Sequence, residues 1–382
     1  MDVVLVTVSF IVGIGTCLLV IAISVIYALY AQRRGFNVVD NPPLYRSVIK
    51  SISEDTISLQ PRGKDILHAQ LPIVGLVSRK GSMVVTGPAK VIGNKITRKI
   101  DSMDGSMEIG DGVSTDRFVY QNDPLSSLGI PFENQLIDTE LGELESWLIR
   151  GNSDRWIVCV HGHRSSLKES LRFLPIFKKL NMNVLMINYR NNWNTYIEPN
   201  QSIMFGLTEW RDLESAVKWC LRNGANQITL LGHSMGGGIV WKYLVESELA
   251  DRVAGVILES PLLDLNEVAN NIAQRIPPFG KLLLWPVKQI LAKKNGIHWN
   301  DLKYIGQYDK ISTPIFLIHS EADRIVPIST SDKLAHLRPD LVTYLRLQES
   351  PHAAAWNVYR NQVEKGIPDF LKTLSGTKKI QC

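Results

Sequence analysis

"TLLGHSMGGGIVWKYL", residues 229–244, is the stretch whose reading decides the fold. An apolar run stops at Gly232, one serine sits among His, Met and glycines, and an amphipathic pattern follows. A glycine inside a strand or helix costs roughly 0.5–1 kcal/mol. Gly232, Gly236, Gly237 and Gly238, placed where a strand hands over to a helix, therefore need a compensating reason. A sharp turn with close backbone approach supplies one, and Ser234 is the side chain that such a turn projects.

Outward from this turn the chain repeats one rhythm. "WIVCVHG" (156–162), "NVLMINYR" (183–190), "QITLLGH" (227–233), "VAGVILES" (253–260), "PIFLIHS" (314–320) and "VTYLRLQ" (342–348) are nearly continuous apolar runs. Helical patterns alternate with them near 166–180, 206–223, from 235, 329–337 and 353–373. Continuous apolar strands alternating with helices predict a mostly parallel sheet covered on both faces. "ENQLIDTELGELESWLI" before them reads as a hairpin with a tight Leu-Gly turn. Residues 261–310 break the rhythm with "IPPFGKLLLWPVKQIL", either a small helical cap over a site or a surface excursion.

Open parallel sheets bind ligands at the carboxyl ends of their strands. Four reactive groups follow predicted strands there: Ser234, Asp323, His352, and the His161-Gly162-His163 turn. A nucleophile, an acid and a base on one edge fit acyl transfer through a covalent intermediate. The start of the helix after Ser234 also aims amide groups, including that of Met235, at the site.

This arrangement resembles the α/β-hydrolase superfamily. Gly232-His233-Ser234-Met235-Gly236 matches its Gly-x-Ser-x-Gly nucleophile elbow, and Ser234, Asp323, His352 follow its chain order of nucleophile, acid and base. The resemblance covers residues 133–374. It implies an α/β-hydrolase fold, with Gly232 and Gly236 as elbow glycines. It also implies Ser234 as nucleophile, His352 as base, Asp323 as the acid behind it, and an oxyanion hole from the backbone N–H groups of His163 and Met235. The implied enzyme is a serine hydrolase that cleaves an ester, thioester or amide through an acyl-enzyme, esterase- or lipase-like first, acting on a small-molecule or lipid-like acyl substrate. A peptidase-like hydrolase and a non-catalytic binding protein on the same fold are the alternatives.

A lone Gly-x-Ser-x-Gly arises on the order of 0.1 times by chance in a chain this long, so its placement between strand and helix carries the weight. Glu321, Glu259 and Asp264 rival Asp323 as the acid. His319, inside a strand pattern, reads as a packed residue, and His233 as pointing away from the site. His161 and His163 form an H-x-H pair without a carboxylate pattern, so no metal or other cofactor is expected. "NYRNNWNTY" (188–196) reads as pocket lining or plain loop. In "TEWRDLESAVKWCL" (208–221), Glu209, Arg211 and Asp212 read as a solvated or structural face.

The N-terminal part has a different character. Val3 to Ala31 are 29 residues without a charge, followed by Arg33 and Arg34. As a helix they span about 43 Å, enough to cross a bilayer with some tilt. A cleavable signal would start basic and be shorter. Residues 3–31 are therefore expected to be a transmembrane helix. Arg33, Arg34, Arg46 and Lys50 lie after it and no basic residue before it, which predicts a single-pass protein with a cytoplasmic catalytic domain. Residues 32–132 read as a polar connector followed, from about 56, by a β-rich segment with strands in "GSMVVTG", "AKVIGNKITRKI", "SMEIG" and "DRFVYQ".

Composition excludes other classes. The 382 residues are 45% hydrophobic and 21% charged, ordinary globular usage, with a net charge of +5 and no basic block. Nucleic-acid binding is not expected. Cys17, Cys159, Cys220 and Cys382 show neither zinc nor disulfide spacing. The oligomeric state is open.

Overall fold

The computed structural model describes residues 2–40, 42–62, 71–276 and 280–374. Part of the β-rich stretch (63–70), part of the helical insertion (277–279) and Cys382 lie outside the described residues. The chain starts with one long helix, α1 (Asp2–Ala31), extended by a π-helical turn, Gln32–Phe36. Apolar side chains cover most of α1 and stand exposed, so by length and composition it can cross a bilayer. The expected polar connector is thus helical at its start, and Gln32 and Phe36 are buried.

Six antiparallel strands then close into a small barrel: β1 (Ser47–Ile52), β2 (Thr56–Pro61), β3 (Ile73–Val77), β4 (Gly81–Ile92), β5 (Lys95–Gly105) and β6 (Gly112–Asp116). Closure in the order β1-β2-β5-β4-β3-β6 leaves no free edge. Its inside is a separate core built on Ile49, Ile57, Val74 and Val85. Two expected strands fail here. "SMEIG" is a loop, and "DRFVYQ" is mostly turn, because the Asp116 carboxylate captures the Phe118 N–H at 2.7 Å. Residues 112–116, which share only Asp116 with it, pair instead with β1 and β3.

The main sheet has eight strands: β7 (Glu133–Thr139), β8 (Gly142–Ile149), β9 (Arg155–Val160), β10 (Asn183–Ile187), β11 (Gln227–His233), β12 (Val253–Glu259), β13 (Ile315–Ser320) and β14 (Val342–Leu347), ordered β14-β13-β12-β11-β9-β10-β8-β7. The six strands from β14 to β10 are parallel; β8 and β7 add an antiparallel edge. The β7–β8 loop is Glu140-Leu141, one residue earlier than the expected Leu-Gly turn, and Gly142, with φ of +129°, opens β8.

Helices cover both faces: α2 (Leu174–Lys179) after a 3₁₀ stretch, α3 (Trp210–Arg222), α4 (Met235–Glu246), α7 (Ser329–Leu337) and α8 (Arg360–Thr373). Buried clusters lie on either side of the sheet, one around Leu230, Val158 and Trp241, the other around Leu231, Cys159 and Trp356. Adjacent residues of β11 feed opposite cores, as strand alternation requires. The insertion after β12 forms α5 (Leu265–Gln274) and α6 (Gly280–Asn295). α6 packs along α1.

Candidate active site

Ser234 follows β11 and caps α4 with φ of +50° and ψ of −113°, a conformation that serine rarely adopts. The neighbouring glycines make it possible. A Cβ on Gly236 would lie 2.2 Å from the Val160 carbonyl oxygen, and one on Gly232 would lie 2.7 Å from the Gly237 Cα. Gly237 and Gly238 are required as well, since their Cβ atoms would press on Pro261 and on the Leu262 carbonyl. The turn is fixed by the Ser234 N–H donating to the Glu259 carbonyl at 2.9 Å.

The three residues expected to act together meet. Ser234 Oγ lies 2.8 Å from His352 Nε2, and His352 Nδ1 lies 2.6 Å from Asp323 Oδ2. They come from the ends of β11, β13 and β14, adjacent in space through β12. Asp323 Oδ1 also accepts the N–H groups of Ile325 and Val326, at 2.8 and 3.0 Å. Its Oδ2 accepts a second imidazole N–H, from His319, at 3.1 Å. Burial works to raise the Asp323 pKa. Hydrogen bonds from His319 and His352, with their charge, outweigh it and hold this carboxyl well below the usual range.

Ser234 is 8% exposed, at the floor of an apolar cavity of about 370 Å³. α5 and α6 roof it with Val268, Leu284 and Leu291, so the insertion is a cap. The end of α1 also faces it, through Tyr27, Ala31 and Phe36. No Asp or Glu lines it among the described residues.

A family model described as serine aminopeptidase, S33, matches residues 208–305. The uncharacterized protein YqkD of Bacillus subtilis is 24% identical over 225 residues, 57% of this chain and 72% of that protein. Lysophosphatidylserine lipase ABHD12 of Xenopus tropicalis is 24% identical over 195 residues, 47% of this chain and 46% of its own length. The Pyrococcus furiosus esterase Pf2001 superposes with a TM-score of 0.53 at 20% identity, over 67% of this chain and 97% of that one. The sheet, the elbow and these likenesses agree. The chain has the α/β-hydrolase fold.

On this fold the rival acids are engaged elsewhere. Glu321 pairs with Arg346 at the surface, and Asp264 caps α5 through the Asn266 N–H. Glu259 lies beneath the elbow. Its Oε2 meets His233 Nδ1 at 2.8 Å and Arg172 at 3.3 Å, and its Oε1 accepts the Ala355 N–H at 3.1 Å. Burial opposes the Glu259 charge, but Arg172 and His233 bring its pKa down to about 2.

The H-x-H imidazoles diverge. His161 stacks on Tyr189, whereas His163 Nε2–H donates to the Gly35 carbonyl at 2.8 Å. Desolvation pushes the His163 pKa down to about 4, which keeps this ring neutral. The "NYRNNWNTY" loop does not line the cavity. Its Arg190 pairs with Asp212 at 2.8 Å, and Glu209 accepts the Met204 and Gly206 N–H groups, so both acids of α3's start are structural. Arg211 stays half-exposed near Glu140.

Three contributors escaped the sequence. Arg172, fully buried, donates to the Ala353 carbonyl at 3.0 Å and to Asn357 Oδ1 at 2.9 Å, and so braces the loop that carries His352. The barrel braces the same loop from its other side: Asn357 donates to the Ile73 and Arg117 carbonyls, and Ala354 joins the barrel core. The end of α1 is the third. No motif flags any of them, because each acts through packing across long sequence separations.

Proposed function

We propose that the chain is a serine hydrolase that cleaves acyl esters, esterase- or lipase-like, through an acyl-enzyme. Ser234 Oγ attacks the carbonyl carbon while its proton passes to His352 Nε2. Asp323 orients the imidazole and stabilises its charged form. The developing oxyanion is held by the N–H groups of His163 and Met235; Met235 opens α4, where the first N–H groups have no intrahelical acceptor. The ester C–O bond breaks, and the alcohol leaves with the proton from His352. Water, deprotonated by His352, then attacks the acyl carbon and returns Ser234. The carrying observation is a strained serine 2.8 Å from an imidazole at the floor of an apolar cavity.

An ester is favoured over a peptide because the described cavity lining offers no carboxylate to receive a peptide's amino terminus. A fold alone does not secure an activity. The reading is checked with a fluorophosphonate probe: it should label the protein and fail to label Ser234→Ala. Equal labelling of that variant would overturn the assignment.

α1 is read as a single membrane span with the catalytic domain on the cytoplasmic side, on the charge asymmetry of its flanks. Protease protection of the hydrolase domain in sealed, correctly oriented vesicles tests this.

A further inference from the structure

The end of the membrane helix is built into the site rather than tethered near it. His163 and Arg164, on the turn after β9, hold its carbonyls: Arg164 donates to Arg33 and Asn37 at 2.6 and 2.7 Å, beside the His163–Gly35 bond. Gln32 and Asn295 at the end of α6 exchange two amide hydrogen bonds of 2.9 Å each. The Ile203 N–H donates to the Phe36 carbonyl at 2.7 Å, and the Phe36 ring meets Phe205 edge-on at 5.1 Å. On α1 and its π-helical extension the buried residues Ser24, Ala28, Gln32 and Phe36 recur every fourth position, a single stripe.

The cavity above Ser234 therefore has α1 as one wall and the cap as the other. Its lining residues Tyr30, Ile272 and Ile325 are exposed and mark where it opens. Tyr30 belongs to the apolar run itself, so the opening lies at the depth of the lipid–water boundary. α6, packed along α1, presents Leu282 and Trp285, 66% and 71% exposed, three positions apart on one face. Lys281, Lys288, Lys293 and Lys294 accompany them. An aromatic and aliphatic face flanked by lysines is the composition of a helix lying in an anionic leaflet surface. Arg34 and Lys288 line the cavity, with no Asp or Glu among the described lining residues.

We propose that the inner end of α1 forms one wall of the acyl site, and that the substrate is a long-chain acyl ester of an anionic membrane lipid, taken laterally from the leaflet between α1 and the cap. The acyl chain lies along Tyr27, Ala31 and the cap, and the headgroup stays near Arg34 and Lys288. The cavity volume, about 370 Å³, falls in the range of roughly 300–1,000 Å³ typical of sites for small molecules, and suits one extended chain. This inference rests on the acyl-ester reading and adds the source and chemistry of the substrate.

The test uses the full chain in phosphatidylglycerol–phosphatidylcholine vesicles and an alkyl fluorophosphonate with a long chain ending in a diazirine. After labelling and irradiation, crosslinked peptides should come from residues 27–36 and from α5 and α6. Crosslinks confined to other parts of the chain would overturn the proposal. Ala31→Phe narrows the wall and should lower the ratio of long-chain to short-chain probe reactivity about tenfold, since each excluded methylene forfeits its transfer free energy. Leu19→Phe, higher on α1, should leave that ratio as it is. An unaltered ratio in Ala31→Phe would also overturn the proposal. Labelling of neither chain length would instead sink the serine-hydrolase reading itself.

Discussion

Two buried serine–histidine–carboxylate chains lie back to back at the end of β11. In one, Ser234 Oγ, His352 and Asp323 are linked at 2.8 and 2.6 Å. In the other, Ser170 Oγ, His233 and Glu259 are linked at 3.1 and 2.8 Å. Side-chain types and connectivity match; surroundings do not. Ser234 sits on a strained turn facing a cavity, whereas Ser170 is buried in a 3₁₀ stretch and His233 is sealed within the protein. Arg172 neutralises Glu259, while among the described residues Asp323 is met by imidazoles and backbone N–H groups. A hydrogen-bonded triad is thus not in itself a reactive one. What separates the two is the cavity above Ser234, against the sealed surroundings of His233.

The sharpest contrast comes from the two serines. Ser234→Ala should lower kcat on a short ester by about 10⁶-fold, as losing the nucleophile of such a unit does. Ser170→Ala should keep fluorophosphonate labelling and lose about 1–2 kcal/mol of stability from an unpaired His233 nitrogen, read by denaturant unfolding. Labelling that follows Ser170 would reverse the roles.

The two carboxylates divide in the same way. Asp323→Asn should cost about 10⁴-fold in kcat through the wrong imidazole tautomer. Glu259→Gln takes from the buried Arg172 the carboxylate it pairs with, a loss of roughly 3–5 kcal/mol in stability, whereas its kcat per folded molecule should fall much less. Unfolding curves and active-site titration together separate the two effects.

Acid extends the comparison to the junction between α1 and the main sheet. The His163 pKa is depressed to about 4, so between there and the unfolded value near 6.5 the unfolded chain binds more protons. Stability should therefore decline as pH falls through that window, by at most about 3 kcal/mol, and His163→Gln should flatten this part of the curve. Glu259, at about 2, and Asp323 contribute stability that is complete above the unfolded carboxyl values near 4 and is lost as pH falls through their folded values. Thermal unfolding across pH reads both segments.

The smallest effect is assigned to His319, a packed strand residue that also touches the acid. His319→Gln removes one of four donors to Asp323 and should lower kcat less than tenfold, with KM held. A loss as large as that of Asp323→Asn would make His319 a positioning residue of the same rank.

Much of this was legible in the sequence because it is local. Apolar runs, their alternation with helices, and glycines around Ser234 each follow from residues close in the chain, where strand period and steric clash act directly. The order of Ser234, Asp323 and His352 was readable because each follows a strand of the same parallel sheet, so all three fall on one edge. "SMEIG" and "DRFVYQ" misled because alternation says nothing of side chains that capture backbone N–H groups: Asp111 takes that of Glu108 in the first, and Asp116 takes that of Phe118 in the second. His233–Glu259 was invisible as a pair, although both residues end strands, because β-strand pairing and not spacing brings them together.

The sequence by itself determined a parallel sheet, a serine on a glycine-cleared turn and an apolar helix of membrane-spanning length, since each depends on the period and size of neighbouring side chains. Only the tertiary structure decided which of two triads faces open space, that the barrel and Arg172 brace the His352 loop, and that the end of α1 walls the cavity. These depend on contacts between segments more than a hundred residues apart, where the joint packing of the whole chain, and no local preference, sets the distance.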